Sequence, residues 1–339
     1  MLRGRTKPSS ASFLMSFVLG MVVALLGGGT AMSAEDTKAQ AAQASAENAY
    51  ANLPVPNLGV RQDDLHPQYS ELETMVWVQA PQIRGCVLDL FCYEWSNLEY
   101  LGFRNLEKGA LELRHRARKD PNVILVTTVT PEPGAVELVA RAEVDKERAA
   151  EGRLPDELPG PNLCFRVKRA DECFSAFPYP FPDFIARSFI FTDRGMTFLS
   201  ETGRLRNTAV PLEDPRNNPS WVQVYVAARS KGRTGPAGKT WYNTSPDRFV
   251  VPMIGVVSHD GKWLTALACA SPERDRMTQA WQQCFHNNPV WAPADAPPEA
   301  RRWRVKVYIM PNDPSALLKR FADDFPDAPN LTNQRTTPQ

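Results

Sequence analysis

The stretch Arg302-Trp303-Arg304-Val305-Lys306-Val307-Tyr308-Ile309 alternates basic or polar residues with apolar ones. In a β-strand, successive side chains point to opposite faces. The three cations and the tyrosine would therefore share one face, and the apolar residues would fill the other. The pattern predicts a strand with one face in a hydrophobic core. The basic row Arg302, Arg304 and Lys306 is the best candidate contact for an anionic ligand.

A second basic row lies in the segment 111–118, where Arg114, Arg116 and Arg118 alternate with mostly apolar residues. The segment 136–144 has the same period, but its outward positions include acidic residues, Glu137 and Glu143. If the two segments lie close in one sheet, these glutamates would offset the arginines across the strands. The row at 114–118 is then an ordinary charged surface. The row at 302–306 has no such acidic strand near it in sequence and is the stronger candidate.

Further patterns predict that strands dominate the chain. Predicted strands lie at 74–78, 122–130, 188–199 (two strands joined by a turn) and 221–228, with a hairpin over 254–268 around Asp260-Gly261. One helix is predicted after Asp313, which can cap it, with Pro314 at its first position. The segment 277–284 fits either a helix or a strand. These patterns predict an all-β fold, a large antiparallel two-sheet sandwich with a short C-terminal helix.

The N-terminus has the pattern of an export signal. Basic residues precede an apolar run at 13–26, and small residues follow it up to Ala34. The run is shorter than the roughly 18 residues of a membrane span, and no later stretch is more apolar. We therefore predict a signal peptide at 1–34, an Ala/Gln/Pro-rich linker at 35–69, one sandwich domain at 70–325 and a disordered tail at 326–339. The mature protein is expected to be periplasmic or extracellular, with no integral membrane span.

The cysteines agree with export, because their number is even and they fall into three sequence-local pairs. They are Cys86 with Cys92, Cys164 with Cys173, and Cys269 with Cys284. Three local disulfides are expected in an oxidising compartment, although sequence proximity is the only basis for this pairing. The chain has no Cys-x-x-Cys motif and no closely spaced pair of histidines, so we predict no metal site and no cofactor.

The charge balance excludes one class of function. The chain has 39 Lys and Arg against 38 Asp and Glu, a formal net charge of +1. A protein that binds nucleic acid without sequence preference is usually far more basic than this. The predicted partner is therefore an anionic polysaccharide or another polyanion that contacts a local basic surface, and not nucleic acid.

Two segments carry candidate functional groups. The first, 284–289, is predicted to be a polar loop in which His286 could act as a base, because imidazole moves protons near neutral pH. The second, 240–248, would supply Tyr242 as a proton donor and Arg248 as a clamp for a uronate carboxylate. Trp241 and Trp281 are further candidate substrate contacts, since indole rings stack on sugars. Asn287, next to His286, is another candidate contact. The other histidines are expected in the core (His115), exposed at a turn (His259) or without a visible partner (His66).

The succession of strands, the segment 284–289 and the late basic strand at 301–310 together resemble the supersandwich of galactose-mutarotase-like proteins. This resemblance is architectural and covers about residues 70–325. The same fold occurs in domains of polysaccharide lyases and glycosidases, so the resemblance implies carbohydrate chemistry. Aldose epimerases of that fold use two histidines and a carboxylate, and no residues of this chain are matched to them.

Three hypotheses follow from the sequence. The first is an exported carbohydrate-active protein that binds or cleaves an acidic polysaccharide, by a lyase-type proton abstraction if it is an enzyme. The second is a non-catalytic binding or assembly module of the cell envelope. The third is a structural exported domain without a small ligand. Because one fold serves many chemistries, the fold does not choose among them.

Overall fold

The chain folds into two β-sheets whose apolar faces pack against each other, as the alternating patterns predict. The computed structural model describes residues 50–63, 73–92, 98–148, 152–160, 163–167, 173–174, 181–206, 222–228, 243–269, 276–280, 283–287 and 289–328. The predicted signal peptide, most of the predicted linker and most of the predicted tail lie outside these residues. The prediction of an all-β two-sheet sandwich with one short C-terminal helix is confirmed.

The first sheet has eight strands. In spatial order they are β1 (Asn57–Asp63), β2 (Glu73–Gln79), β3 (Val87–Phe91), β8 (Leu163–Arg166), β16 (Cys284–Asn287), β15 (Arg276–Ala280), β11 (Gln223–Ala227) and β12 (Thr244–Phe249). Neighbouring strands are antiparallel except β11 and β12, which are parallel. We call this sheet 1.

The second sheet has nine strands, all antiparallel to their neighbours. In spatial order they are β10 (Gly195–Phe198), β9 (Ser188–Thr192), β13 (Val251–Val257), β14 (Trp263–Cys269), β17 (Arg302–Pro311), β7 (Ala135–Val144), β6 (Val123–Glu132), β5 (Leu111–Ala117) and β4 (Leu98–Asn105). We call this sheet 2. The stretch quoted at the outset forms β17, the middle strand of sheet 2.

The main core lies between the sheets. On β17, Trp303, Val305 and Val307 point into it, as the period of two predicts, and they belong to one buried cluster with Phe165 and Phe285 of sheet 1. All five side chains are buried. The burial of this apolar face is the main driving force for pairing the sheets, at about 25 cal/mol for each Å² removed from water.

A second apolar layer covers half of the outer face of sheet 2. Helix α2 (Pro314–Asp324) places Leu317 and Phe321 in a cluster with Ala266 and Tyr308 of the sheet. The helix begins as predicted: an Asp313 carboxylate oxygen accepts from the backbone N–H of Ser315 at 2.9 Å and of Ala316 at 3.0 Å. The other half of this outer face, on β4 to β7, carries charged side chains.

The structure corrects several predicted elements. Residues 57–63 form β1, so regular structure begins inside the predicted linker, where few large apolar side chains mark a strand. A short helix that was not predicted, α1 (Phe181–Arg187), directly precedes β9. The described part of the ambiguous segment 277–284 contains strand and no helix: residues 277–280 belong to β15, and β16 begins at Cys284. Among the described residues, no helix is both long enough and apolar enough to cross a membrane.

The predicted hairpin is present as β13 and β14, with a connection longer than two residues. Its loop spans 258–262 and is closed by the Asp260 carboxylate, which accepts from the Ser258 hydroxyl at 2.7 Å and the Lys262 backbone at 3.0 Å. Gly261 adopts a φ of 71°, a left-handed conformation that glycine reaches without steric cost.

Candidate functional site

The basic row on β17 alternates as predicted, but it is not an open surface for a ligand. Lys306 is only 1% exposed. Its Nζ lies 2.7 Å from a carboxylate oxygen of Glu132 and 2.6 Å from one of Asp324, which belongs to helix α2. The prediction that Lys306 contacts an external polyanion is therefore wrong, because the C-terminal helix covers it.

The other two cations of this row are also engaged within the protein. Arg304 lies 2.5 Å from a carboxylate oxygen of Glu137, and its guanidinium stands over the Phe325 ring at 4.7 Å. Arg302 donates to the backbone carbonyls of Glu299 at 2.6 Å and Arg301 at 2.8 Å. No acidic strand lies near this row in the sequence, but β7 is the neighbour of β17 in the sheet and provides Glu137.

The row at 114–118 belongs to the open half of the same face, which we call the charged face. Arg114 pairs with Glu143 at 3.2 Å, as predicted. Arg116 pairs with Asp145 at 2.9 Å and with Glu99 at 3.3 Å, while Arg118 donates to the Leu98 carbonyl at 3.4 Å. Glu137 does not offset this row, because it pairs with β17. The row at 114–118 is therefore offset by carboxylates, as predicted, and the row at 302–306 is offset as well.

A buried carboxylate organises the charged face. Glu112 lies between Arg104 at 3.0 Å and Arg141 at 3.5 Å. Burial raises the pKa of Glu112, but the guanidinium groups outweigh that effect and hold the pKa below its ordinary value. At the other end of the face, the hydrogen bond from Arg116 lowers the pKa of Asp145 despite the opposing effect of burial. Both carboxylates are therefore held in their charged form.

The charged face opens into a cleft of about 980 Å³. The side chains that give it its character are guanidinium groups interleaved with carboxylates: Arg114, Arg116, Arg141, Arg153, Glu143 and Asp145. Two cations in its lining, Lys146 and Arg153, are exposed and make no ion pair with described residues. Two carboxylates in the same lining, Glu147 and Glu299, are exposed as well. The cleft therefore presents fixed arginines together with exposed groups of both signs.

The two depressed pKa values predict that the charged face weakens in acid. A carboxylate whose pKa is lower in the folded state stabilises that state above its unfolded pKa of about 4, and the contribution is lost as pH falls through the folded value. We expect Glu112→Gln to lower the free energy of unfolding near pH 7 and to flatten its decline below about pH 4. Urea unfolding at several pH values measures this, with the exposed Glu107→Gln as control. Parallel curves for wild type and Glu112→Gln would contradict the assignment.

The predicted catalytic histidine lies in a strand and not in a loop. His286 is half-buried on the outer face of β16, and its Nε2 is 3.4 Å from Cys284 Sγ. Arg248 is half-buried on β12, on the same outer face of sheet 1 but three strands away, about 14 Å at the usual strand spacing. Asn287 points into the core and is fully buried, so the prediction that it contacts a substrate at the surface is wrong.

The remaining predicted site residues divide into two groups. Tyr242, Trp241 and Trp281 lie outside the described residues, so their roles stay predictions. The expectations for two other histidines are confirmed. His115 is buried against the Tyr100 ring, with a centroid distance of 5.4 Å, and burial lowers its pKa to about 4. His259 is exposed beside the hairpin turn, near Asp183.

The structure does not form the predicted sequence-local disulfides. All six cysteines are buried thiols, and none is at bonding distance from another. The Cys86 thiol instead contacts that of Cys173, and this contact together with burial raises the pKa of Cys86. Cys164 and Cys284 meet beside His286. Sequence proximity was therefore a poor guide to spatial proximity. Cys164 and Cys284, for example, lie 120 residues apart but on neighbouring strands, β8 and β16.

The grouping of Cys164, Cys284 and His286 was missed because Cys164 is far from the other two in sequence. One signal was available: Cys284-x-His286 in a strand places both side chains on one face. The comparisons add no assignment, since no known protein-family model matches the sequence and no curated protein matches it either. The charged cleft and this Cys-His group are the candidate functional sites among the described residues.

Proposed function

We propose that this protein is an exported, non-catalytic binding module that holds an anionic polysaccharide in the cleft of the charged face. The observation that carries the proposal is the 980 Å³ cleft with fixed arginines inside and the exposed cations Lys146 and Arg153 in its lining. Export is supported by the signal-like N-terminus. We also propose that the two-sheet sandwich is of the galactose-mutarotase-like type, a fold that is often associated with carbohydrates.

Several contacts favour this cleft over the sites that the sequence suggested. Arg114 and Arg116 are each held by carboxylates, so their side chains are ordered before a ligand arrives and less entropy is lost on binding. The interleaved acids also prevent indiscriminate binding of polyanions, because a ligand must place its own charges between them. A sugar polymer with spaced carboxylates meets this condition better than a uniformly charged chain.

Binding is preferred to cleavage for two geometric reasons. The proposed base, His286, contacts Cys284 and lies about three strand spacings, or about 14 Å, from the proposed clamp Arg248. A lyase needs its base and its charge-neutralising group around one sugar residue. In the part of the chain that the structure describes, no histidine or tyrosine lines the charged cleft.

The test uses a uronic acid polymer such as polygalacturonate, with neutral dextran for comparison. We expect the mature protein to retain the uronic acid polymer in affinity electrophoresis, and added salt to weaken retention because exposed charges are screened. The double variant Lys146→Ala/Arg153→Ala should lower affinity by about fivefold, since two exposed ion pairs contribute roughly 1 kcal/mol in total.

The matched control is Arg206→Ala/Lys262→Ala, which removes two exposed cations that do not line the cleft. It changes net charge equally and is expected to leave binding unchanged. Equal losses in both variants would show a general charge effect and overturn the cleft assignment. Release of unsaturated uronate, followed by ultraviolet absorbance, would overturn the non-catalytic part of the proposal.

A further inference from the structure

Three metal-binding side chains meet on the outer face of sheet 1. Strands β8 and β16 are neighbours, with His286 directly opposite Cys164 and Cys284 opposite Arg166. The alternate residues Phe165 and Phe285 point into the core, so the two cysteines and the histidine point the other way. The charged cleft lies on sheet 2, and these three residues are not part of it.

The spacing of the ligand atoms matches a thiolate and imidazole metal site. One ligand atom from each of the three residues lies within 4.8 Å of the other two, and Cys284 Sγ is 3.4 Å from His286 Nε2. Tetrahedral Zn²⁺, at about 2.3 Å from sulfur and about 2.0 Å from nitrogen, holds such atoms about 3.5 Å apart. A metal ion could therefore be accepted with small adjustments of the side chains.

A disulfide between the two cysteines is disfavoured by the strand register. Because Cys164 faces His286 and not Cys284, the two cysteines form a diagonal pair across the strands. Diagonal neighbours have Cα atoms about 7–8 Å apart, whereas disulfides usually need about 4.4–6.8 Å. A bridging metal removes this conflict, since each sulfur then bonds to the ion at its own distance and not to the other sulfur.

The surroundings suit a thiolate site. The Arg166 Nε–H donates to Cys164 Sγ at 3.2 Å, and a hydrogen bond of this kind stabilises a sulfur that carries negative charge. Both cysteines are buried, which protects metal–thiolate bonds from water, while His286 is half-buried and leaves a route for the ion. Two thiolates also balance the charge of a divalent cation.

We propose that Cys164, Cys284 and His286 supply three ligands of a Zn²⁺ site, with no fourth ligand among the described residues. Zinc accepts a donor set of two cysteines, one histidine and an exchangeable ligand. Soft thiolate ligands disfavour Mg²⁺ and Ca²⁺. The site tethers β8 to β16 on the outer face of sheet 1. It is independent of polysaccharide binding, so each proposal stands or fails separately.

Metal titration of the full mature protein tests the site. After purification with reductant and removal of metals by a chelator, we expect one Zn²⁺ per chain to bind. Co²⁺ should produce thiolate-to-metal absorption and the intense visible bands of a tetrahedral site. His286→Ala should weaken Zn²⁺ binding by more than about 100-fold, because even partners of ligands contribute about 10–100-fold. His259→Ala is the control, since it removes an exposed histidine elsewhere.

A measurement on the wild-type chain guards against variants that fail to fold. Zn²⁺ should slow the alkylation of Cys164 and Cys284, as read by mass spectrometry of peptides, at a urea concentration at which the otherwise buried thiols of Cys92 and Cys269 react. The absence of a cobalt–thiolate band would overturn the proposal. So would equal alkylation with and without Zn²⁺, or a Cys164–Cys284 disulfide in protein isolated without reductant.

Discussion

Replacing Lys306 by Met is expected to destabilise the protein by about 3–5 kcal/mol, the usual effect of removing one partner from a buried ion pair. The ammonium group is buried between Glu132 and Asp324, at 2.7 Å and 2.6 Å. Arg320 completes the cluster at 3.7 Å from Glu132 and 3.6 Å from Asp324. Without Lys306, two carboxylates would share one more distant guanidinium, and their desolvation would no longer be offset.

Equilibrium unfolding in urea measures this effect, with Arg302→Met as the matched control on the same strand. Arg302 is half-buried, and among the described residues it donates to two backbone carbonyls, so its loss should cost about 1 kcal/mol or less. Helix α2 should also become more accessible to proteases in Lys306→Met, because Asp324 lies at its end. Similar midpoints for the two variants would show that Lys306 is not held in a buried ion cluster.

The same lysine shows how far sequence reasoning extends. The alternation of 302–309 correctly predicted a strand and its buried face, because the period of two is a local property. What covers the other face is not local. Glu137 reaches this face through β7, and Asp324 reaches it through a helix that follows the strand. A row of cations that looks exposed in sequence is therefore neutralised by elements from both directions along the chain.

The candidate sites illustrate the same limit. The pairing of Arg114 with Glu143 could be predicted, since both lie in strands whose alternation is plain. The cleft could not be predicted, because the loop that includes Arg153 forms part of its lining. The Cys-His group depends on the register between β8 and β16, and neither short strand has a strong pattern of its own. Register is set by the whole sheet, so only the structure brings these residues together.

The charged face of sheet 2 is rich in arginine, although the chain as a whole is near neutral. The apolar half of the outer face needs a cover and receives helix α2, whereas the charged half neutralises itself through pairs such as Arg116–Asp145. Fixing charges in pairs keeps them ordered without a large net field. For the proposed polysaccharide, specificity would then depend on the spacing of its charges more than on their number.

The second large effect is expected at Gly255, in the middle of β13. A Cβ atom at this position would lie 2.4 Å from the Thr265 carbonyl oxygen, 2.7 Å from Phe189 Cζ and 2.8 Å from Ala266 Cβ. Real Cβ atoms essentially never approach other atoms this closely, and the first of these neighbours is backbone held in the sheet. The reason for glycine here is thus space and not an unusual φ. Gly255→Ala is expected to cost about 3 kcal/mol or more, at the upper end of overpacking effects.

The control for this variant is Gly160→Ala, whose new methyl group would meet no atom within 4 Å. That change should alter stability by less than about 0.5 kcal/mol. The double variant Gly255→Ala/Phe189→Leu separates the two sources of crowding. It should recover only part of the loss, because the smaller side chain relieves the contact with the ring but leaves the contact with the Thr265 carbonyl. Full recovery would place the strain in the ring alone, and a wild-type midpoint for Gly255→Ala would contradict the close approach of β13 and β14.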